Sequence, residues 1–398
     1  MYKIKIYIDL ISIILCLITI IFFMLIINKI LSFEDYKEEK SFSFLIIASI
    51  FLILIELFIE TNLLKFFILF EFTLILIFFV INSWGVKKER IEAGLFIIFY
   101  TIIFSVPRII SIIYWINKLN RIQILNNNIR FLNFKFSFIF KIVIIIIFVK
   151  LPIYLLHVWL PKAHVEAPLM GSIILAGIML KLGGYGLYRF IIFLLKFKSK
   201  NYNLIFNWGL WTFIIISFYC FMQSNIKVII AFSSIVHIRI IIVGYSSKFL
   251  MSLLPIIILI FSHGFISSLM FYSFELTYIS LLTRRILIIR GLFNINKKFV
   301  YLVFLLIVIN ISTPPFLSFF SELLLFKIFY IKFNLTLIIF LIGFFIRGIY
   351  NIYIYAFLNI SNKQTTNFIT LNKNEILIYY IHLKIFLIIS FLIRPLSI

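Results

Sequence analysis

Long apolar runs, separated by short polar connectors, leave this chain few folds to choose from. Along its 398 residues the runs fall near 6–30, 44–64, 66–83, 93–116, 138–155, 168–195, 207–222, 226–246, 251–279, 298–312, 316–333, 335–358 and 376–394. A helix needs about 20 apolar residues to cross the hydrocarbon of a bilayer. Inside lipid, every backbone amide and carbonyl must be bonded within the protein. The runs are continuous and not alternating, which favours helices over a barrel. The expected fold is an all-α polytopic membrane protein with thirteen or fourteen transmembrane helices. The connectors SFEDYKEEKSFS (32–43), WGVKKERIEAG (84–94), KFKSKNYN (196–203) and LNISNKQTTNFITLNKNE (358–375) are too short to fold alone, so 1–398 reads as one transmembrane domain.

Composition agrees with this. Hydrophobic residues make up 64% and charged residues 13%, too little polarity to clothe a water-soluble enzyme. The net charge of +23 would suggest nucleic acid as the partner of a soluble protein. In a membrane chain, basic residues instead sit at helix ends, where their stems reach lipid headgroups, and nucleic-acid binding is rejected. Lysine and arginine occur in connectors on both sides, so charge asymmetry does not orient the chain. Cys16 and Cys220 lie far apart in apolar runs and can hold neither an iron–sulfur cluster nor a disulfide framework. Electron-transfer cofactors are therefore expected on other chains. The start, MYKIKIYIDL, resembles neither a transit peptide nor a cleavable signal and reads as the first membrane helix.

Function is carried by ionisable residues inside the apolar runs, because a charge at mid-bilayer costs roughly 2.5–3.5 kcal/mol even on a lenient scale. Glu56 and Glu60 share a helix face but read as a solvated helix end, whereas Glu71 is flanked on both sides by apolar sequence. Lys150 is followed by Pro152 and, seven residues on, by His157, nearly the same face of a continuous helix. A lysine taken out of water can exchange its proton. VWLPKAHVEAP (158–168), with Lys162, His164 and Glu166, reads as easily as an exposed loop. LKLGGYG (180–186) sets Lys181 among glycines, the mark of an interrupted helix or of close helix packing. SNIKVIIAFSSIVHI (224–238) aligns Lys227, Ser233, Ser234 and His237 as a polar stripe, and His263 with Ser267 extends it. Glu322 follows the Pro314-Pro315 break, with Lys327 as a possible structural partner. Lysines near 150 and 227, each followed by histidine, hint at an internal repeat. Walker loops, GxGxxG, nucleophile elbows and zinc-ligand spacings are not found. Acid, lysine, histidine, lysine and acid across many spans describe a proton path.

These residues also carry a resemblance. LPKAHVEAPLMGSIILAGIMLKLGGYGLYRF (160–190) closely resembles the signature region of the antiporter-like chain 4 family of mitochondrial NADH:ubiquinone oxidoreductase, respiratory complex I. FEFT (70–73), NIKVIIAFSSIVH (225–237), SHGFISSL (262–269) and PPFLSFFSEL (314–323) match in the same order, so the resemblance covers about 62–326. It implies two inverted five-helix repeats with broken helices. It implies further that Glu71 pairs with Lys150 and tunes its hold on a proton. Lys227, His237 and His263 would continue a central hydrophilic axis to Glu322, with His157, Lys181 and Ser234 in support. NADH, flavin, iron–sulfur clusters and ubiquinone would be bound by partner subunits. The expected partners are other membrane-arm subunits, including sibling antiporter-like chains, and membrane lipids. The expected location is the mitochondrial inner membrane, or a bacterial plasma membrane in the alternative. The chain departs from the family in its shorter N-terminal part, in Asn62 and Asn225 where acidic residues are common, and in the added charge of Arg239. A cation/proton antiporter subunit and an assembly scaffold are the competing functions.

Overall fold

The computed structural model describes residues 9–32, 37–85, 88–124, 150–154, 156–194, 202–247, 250–281, 283–289, 297–332, 334–359 and 373–393. Four helices open the fold: α1 (Leu10–Ser32), α2 (Lys37–Ile59), α3 (Leu63–Trp84) and α4 (Arg90–Ile124). A short helix, α5 (Trp159–Glu166), leads to a longer one in three parts: α6 (Leu169–Ile174), a π-helical stretch (Leu175–Met179) and α7 (Leu180–Leu194). Then come α8 (Tyr202–Phe221), α9 (Ile226–Ser246), a 3₁₀ turn (Leu250–Ser252), α10 (Leu253–Leu281), α11 (Lys297–Ile311), α12 (Leu317–Lys332), α13 (Asn334–Asn359) and α14 (Lys373–Ile393). The architecture is all-α, and eight helices among the described residues are long and apolar enough to cross a membrane. The expected span at 138–155 lies largely outside the described residues, and each of the other expected spans contains a helix.

Burial sorts the spans into centre and rim. Leu169–Arg189 and Ile226–Ser246 are each 94% buried and Leu253–Ile279 is 83% buried, against 33% to 44% for the spans of α1–α4 and α13. A helix dry on all sides belongs to the middle of a bundle. The post of that bundle is α10, which packs on α1, α6, the π-helical stretch, α9, α11, α12 and α14. The rim turns Leu17, Leu52, Ile103 and Phe345 outward, toward whatever apolar medium surrounds the bundle. Close approach at the centre uses glycine. A methyl added at Gly177 would run into the Phe22 ring, and one at Gly264 would stand 3.3 Å from the Gly177 carbonyl oxygen.

Both asparagines that depart from the family pattern are helix N-caps. The Asn62 side-chain oxygen accepts from the Leu64 amide at 3.0 Å, and that of Asn225 from the Lys227 amide at 3.0 Å. Asparagine and aspartate serve this purpose about equally well, so the cap survives the loss of charge.

Three local expectations need correction. VWLPKAHVEAP is no exposed loop: it forms α5, in which Trp159, Leu160, Pro161, Ala163, His164 and Glu166 are buried. Lys150 and His157 do not share a helix face, because residues 151–154 and 156 are non-helical, and Pro152 cannot donate its backbone hydrogen bond. The interruption expected beside the 183–186 glycines lies earlier, in the π-helical stretch 175–179.

Candidate functional site

On α3, mid-helix, the Glu71 carboxylate is shared by two cations. Lys150 Nζ stands 3.1 Å from it, and the guanidinium of Arg108 on α4 makes a second, very short contact. Arg108 and Lys150 are both buried, and Arg108 lies 4.2 Å from the Phe67 ring centre while Lys150 lies 4.9 Å from that of Phe70. Pro107 precedes Arg108 inside α4. Arg108 was as visible in the sequence as Glu71, a charge within an apolar run, but nothing in the sequence named its partner.

The segment that begins at Lys150 packs on α7. Gly183 packs its bare Cα face on this segment: a methyl there would meet the Leu151 side chain at 2.9 Å and the Lys150 carbonyl carbon at 3.5 Å. Two residues before Gly183, Lys181 donates to the Ala176 carbonyl and to Ser267 Oγ, the latter at 3.3 Å. The π-helical bonding explains this acceptor. Its wider turn loosens the regular i→i+4 ladder, and the Ala176 carbonyl also accepts from Ser267 at 3.3 Å. One turn from Ser267 on α10 is His263, whose ring stacks on that of His237 with centres 4.9 Å apart.

His237, near the middle of α9, has a defined orientation. Its Nε2 lies 3.1 Å from the Asn310 side-chain oxygen, while the Asn310 amide nitrogen donates to Asn351 at 2.8 Å. Since the Asn310 nitrogen is used elsewhere, its oxygen must accept, so Nε2 carries the hydrogen. The Nδ1 lone pair is then left facing Glu322 at 3.7 Å. Glu322 is itself held by both arms of the Arg347 guanidinium, at 2.6 and 2.7 Å. Arg347 thus takes the place expected for Lys327, which is exposed, and it also donates to the Ile311 carbonyl at 2.8 Å, at the break before α12.

Several expected members stand elsewhere. Lys227 is in the first turn of α9, ten residues or about 15 Å from His237 along the helix, and pairs with Glu275. Arg284 and Glu166, paired with each other at 3.3 Å, lie within electrostatic range of Lys227. Backbone bonds from Ile226 to Arg284 (3.0 Å) and from Ile286 to Ser224 (2.9 Å) pin this cluster to the end of α9. His164, fully buried and stacked on Phe271 at 4.5 Å, lies within electrostatic range of both Lys181 and Lys227. Ser234 turns its hydroxyl to the Ala231 carbonyl at 2.7 Å, and Ser233 does likewise to Ile230 at 2.8 Å. His157 stacks on Tyr154 with centres 5.6 Å apart, and Arg239 donates to the Pro152 carbonyl. Glu60 caps the chain at Asn62, accepting from its amide at 3.1 Å. No group of three or more histidine, cysteine, aspartate or glutamate residues that could hold a metal occurs among the described residues.

Comparisons with known proteins identify the family. The model of the NADH:quinone oxidoreductase/Mrp antiporter transmembrane family matches residues 60–348. NADH-ubiquinone oxidoreductase chain 4 of Albinaria caerulea is 33% identical over 85% of this chain and 78% of its own length. That of Ceratitis capitata is 36% identical over 83% and 72%, and that of Rhipicephalus sanguineus 35% over 88% and 79%. Among solved structures, a chain of respiratory complex I from Thermus thermophilus superposes with a TM-score of 0.81 at 16% identity, covering 98% of this chain and 84% of that one. A chain of an archaeal membrane-bound sulfane sulfur reductase gives 0.81 at 16%, covering 96% and 80%. With the family model matched over 60–348 and these relatives 33% to 36% identical over most of both chains, the chain belongs to the NADH-ubiquinone oxidoreductase chain 4 family of antiporter-like membrane proteins.

Proposed function

We propose that this chain is a proton-translocating subunit of the membrane arm of NADH:ubiquinone oxidoreductase, multi-pass in the mitochondrial inner membrane. Electron transfer from NADH to ubiquinone belongs to partner subunits, which carry the flavin and iron–sulfur clusters. The observation that supports this best is the set Glu71, Lys150, Lys181, His263, His237 and Glu322, taken from six different segments of an all-α bundle. Isolated buried charges are costly, and a fold that collects them in a line needs a use for them.

In this reading, energy from the redox subunits changes how tightly Lys150 is held at Glu71. Released, the ammonium gives its proton toward Lys181, whose Ser267 and Ala176 partners hold it beside α10. The Ser267 hydroxyl and His263 lead on to the stacked His237, whose Nδ1 receives the proton facing Glu322. His164 gives Lys181 a side branch to the Lys227–Glu275–Arg284–Glu166 cluster at the end of α9. Breaking one buried ion pair is a sufficient lever, since one unit of proton affinity is about 1.4 kcal/mol. The test is Lys150→Ala and, separately, Lys181→Ala in the assembled complex. Both variants are expected to lose proton translocation. Intact quinone reduction and intact pumping in both would overturn the reading.

A further inference from the structure

The two ends of the row repeat one arrangement. Glu71 meets Arg108 and Lys150; Glu322 meets Arg347 and His237. Each carboxylate therefore faces one cation that cannot release its proton, a guanidinium, and one group that can, an ammonium or an imidazole. Both arginines are among the largest fully buried side chains. Arg108 Nε and Nη1 and Arg347 Nε have no hydrogen-bond partner among the described residues, so the carboxylate is the main answer to each guanidinium charge there. Among the described residues, the other groups facing Glu322 are neutral. Ser312 lies beside it, Asn310 and Asn351 are bonded to His237 and to the Arg347 carbonyl, and the Tyr350 hydroxyl is buried nearby. His263 and Lys181 stand one step further back, behind His237. At the other end Glu71 is half-buried, and Arg108 lies against the Phe67 and Phe70 rings.

We propose that Arg108 and Arg347 are positioning residues that keep Glu71 and Glu322 permanently ionised, so that at both ends the mobile proton rides on Lys150 or His237 and never on the carboxylate. The electrostatics favour this division of labour. When a lysine or histidine beside a lone buried carboxylate loses its proton, it leaves an uncompensated anion, which is severely destabilising. With the arginine present, it leaves a neutral carboxylate–guanidinium pair. Proton release from Lys150 or His237 then costs little, and recapture restores a single positive charge. Glu322 is on this account a fixed docking point for charged His237, in place of the terminal proton acceptor expected from sequence.

The proposal deepens the function given above, but the charge state of the two carboxylates can be tested whether or not the chain pumps. Infrared difference spectra of the complete complex, recorded across the pH range where histidine titrates, report protonated carboxyl groups through their C=O stretch. Comparing wild type with Glu71→Gln and Glu322→Gln isolates the two carboxylates. No protonated-carboxyl band should depend on either residue in the wild type. Such a band should appear in Arg108→Leu and Arg347→Leu, vanish again when the matching Glu→Gln is added, and be absent or reduced in Arg108→Lys and Arg347→Lys. A wild-type band removed by Glu71→Gln or Glu322→Gln would overturn the proposal. Should the arginine variants fail to assemble, the wild-type comparison decides alone. Loss of pumping in Lys150→Ala, with the expected spectra, supports both readings; unchanged pumping with the expected spectra removes only the transport function.

Discussion

Asn310 shows how a neutral residue can direct a charged one. Its oxygen faces His237 and its nitrogen Asn351, so neither end of the amide is free to turn, and the imidazole is held with Nδ1 toward Glu322. Replacing Asn310 with Leu removes the acceptor for Nε2 and leaves a buried donor unsatisfied, at about 1–3 kcal/mol. Fewer protons should be translocated per NADH oxidised in the Asn310→Leu complex, measured by coupled acidification and NADH consumption. The caps make a contrasting case. Asn225→Asp keeps the oxygen that accepts from the Lys227 amide and should leave stability nearly unchanged, while Asn225→Ala should cost about 1 kcal/mol, read as a lower thermal midpoint of the purified complex.

At the scale of elements, the π-helical stretch depends on small residues around it. Gly177 sits against Phe22 of α1, and Gly264 of α10 comes up to its carbonyl oxygen. Overpacking a dry core costs about 1–3 kcal/mol. Gly177→Ala should therefore lower the thermal midpoint, and Phe22→Ala should recover part of the loss in a double-mutant cycle. These elements also show what a sequence can disclose. Glu71, Lys181, His263 and Glu322 stand out because a polar group in an apolar run has no cheap explanation, and apolar run lengths place most helices. Pairings across helices carry no such mark. Nothing in the spacing of residues 71 and 108, or 322 and 347, says that they touch, so Arg108 and Arg347 become legible only in three dimensions. Lys227 shows another side of this: its spacing to Ser234 marks a stripe along α9, but the sequence does not show that its ion-pair partner is Glu275. The π-helical bonding of LAGIM, a stretch packed on Phe22 and α10, leaves no composition signal.

For the whole molecule, the same residue type has opposite consequences on the two sides of a helix. Phe345 is 72% exposed and Arg347, two residues on in α13, is fully buried against Glu322. Phe345→Arg would put a guanidinium on the outer face at mid-span, costing roughly 2.5–3.5 kcal/mol, and should reduce the amount of chain recovered in membranes, by immunoblot. Lys162→Arg, at an exposed position over Phe96, should not change it. The placement of the inner arginines also bears on biogenesis. Arg108 on α4 answers Glu71 on α3, and Arg347 on α13 answers Glu322 on α12, so each counter-ion arrives on the adjacent segment of the nascent chain. Segments threaded into the bilayer singly would strand a lone ion in oil, whereas a two-segment hairpin can leave the insertase with that pair already neutralised. Insertion of each of these two hairpins as a pair avoids that cost, which insertion of its helices one at a time does not.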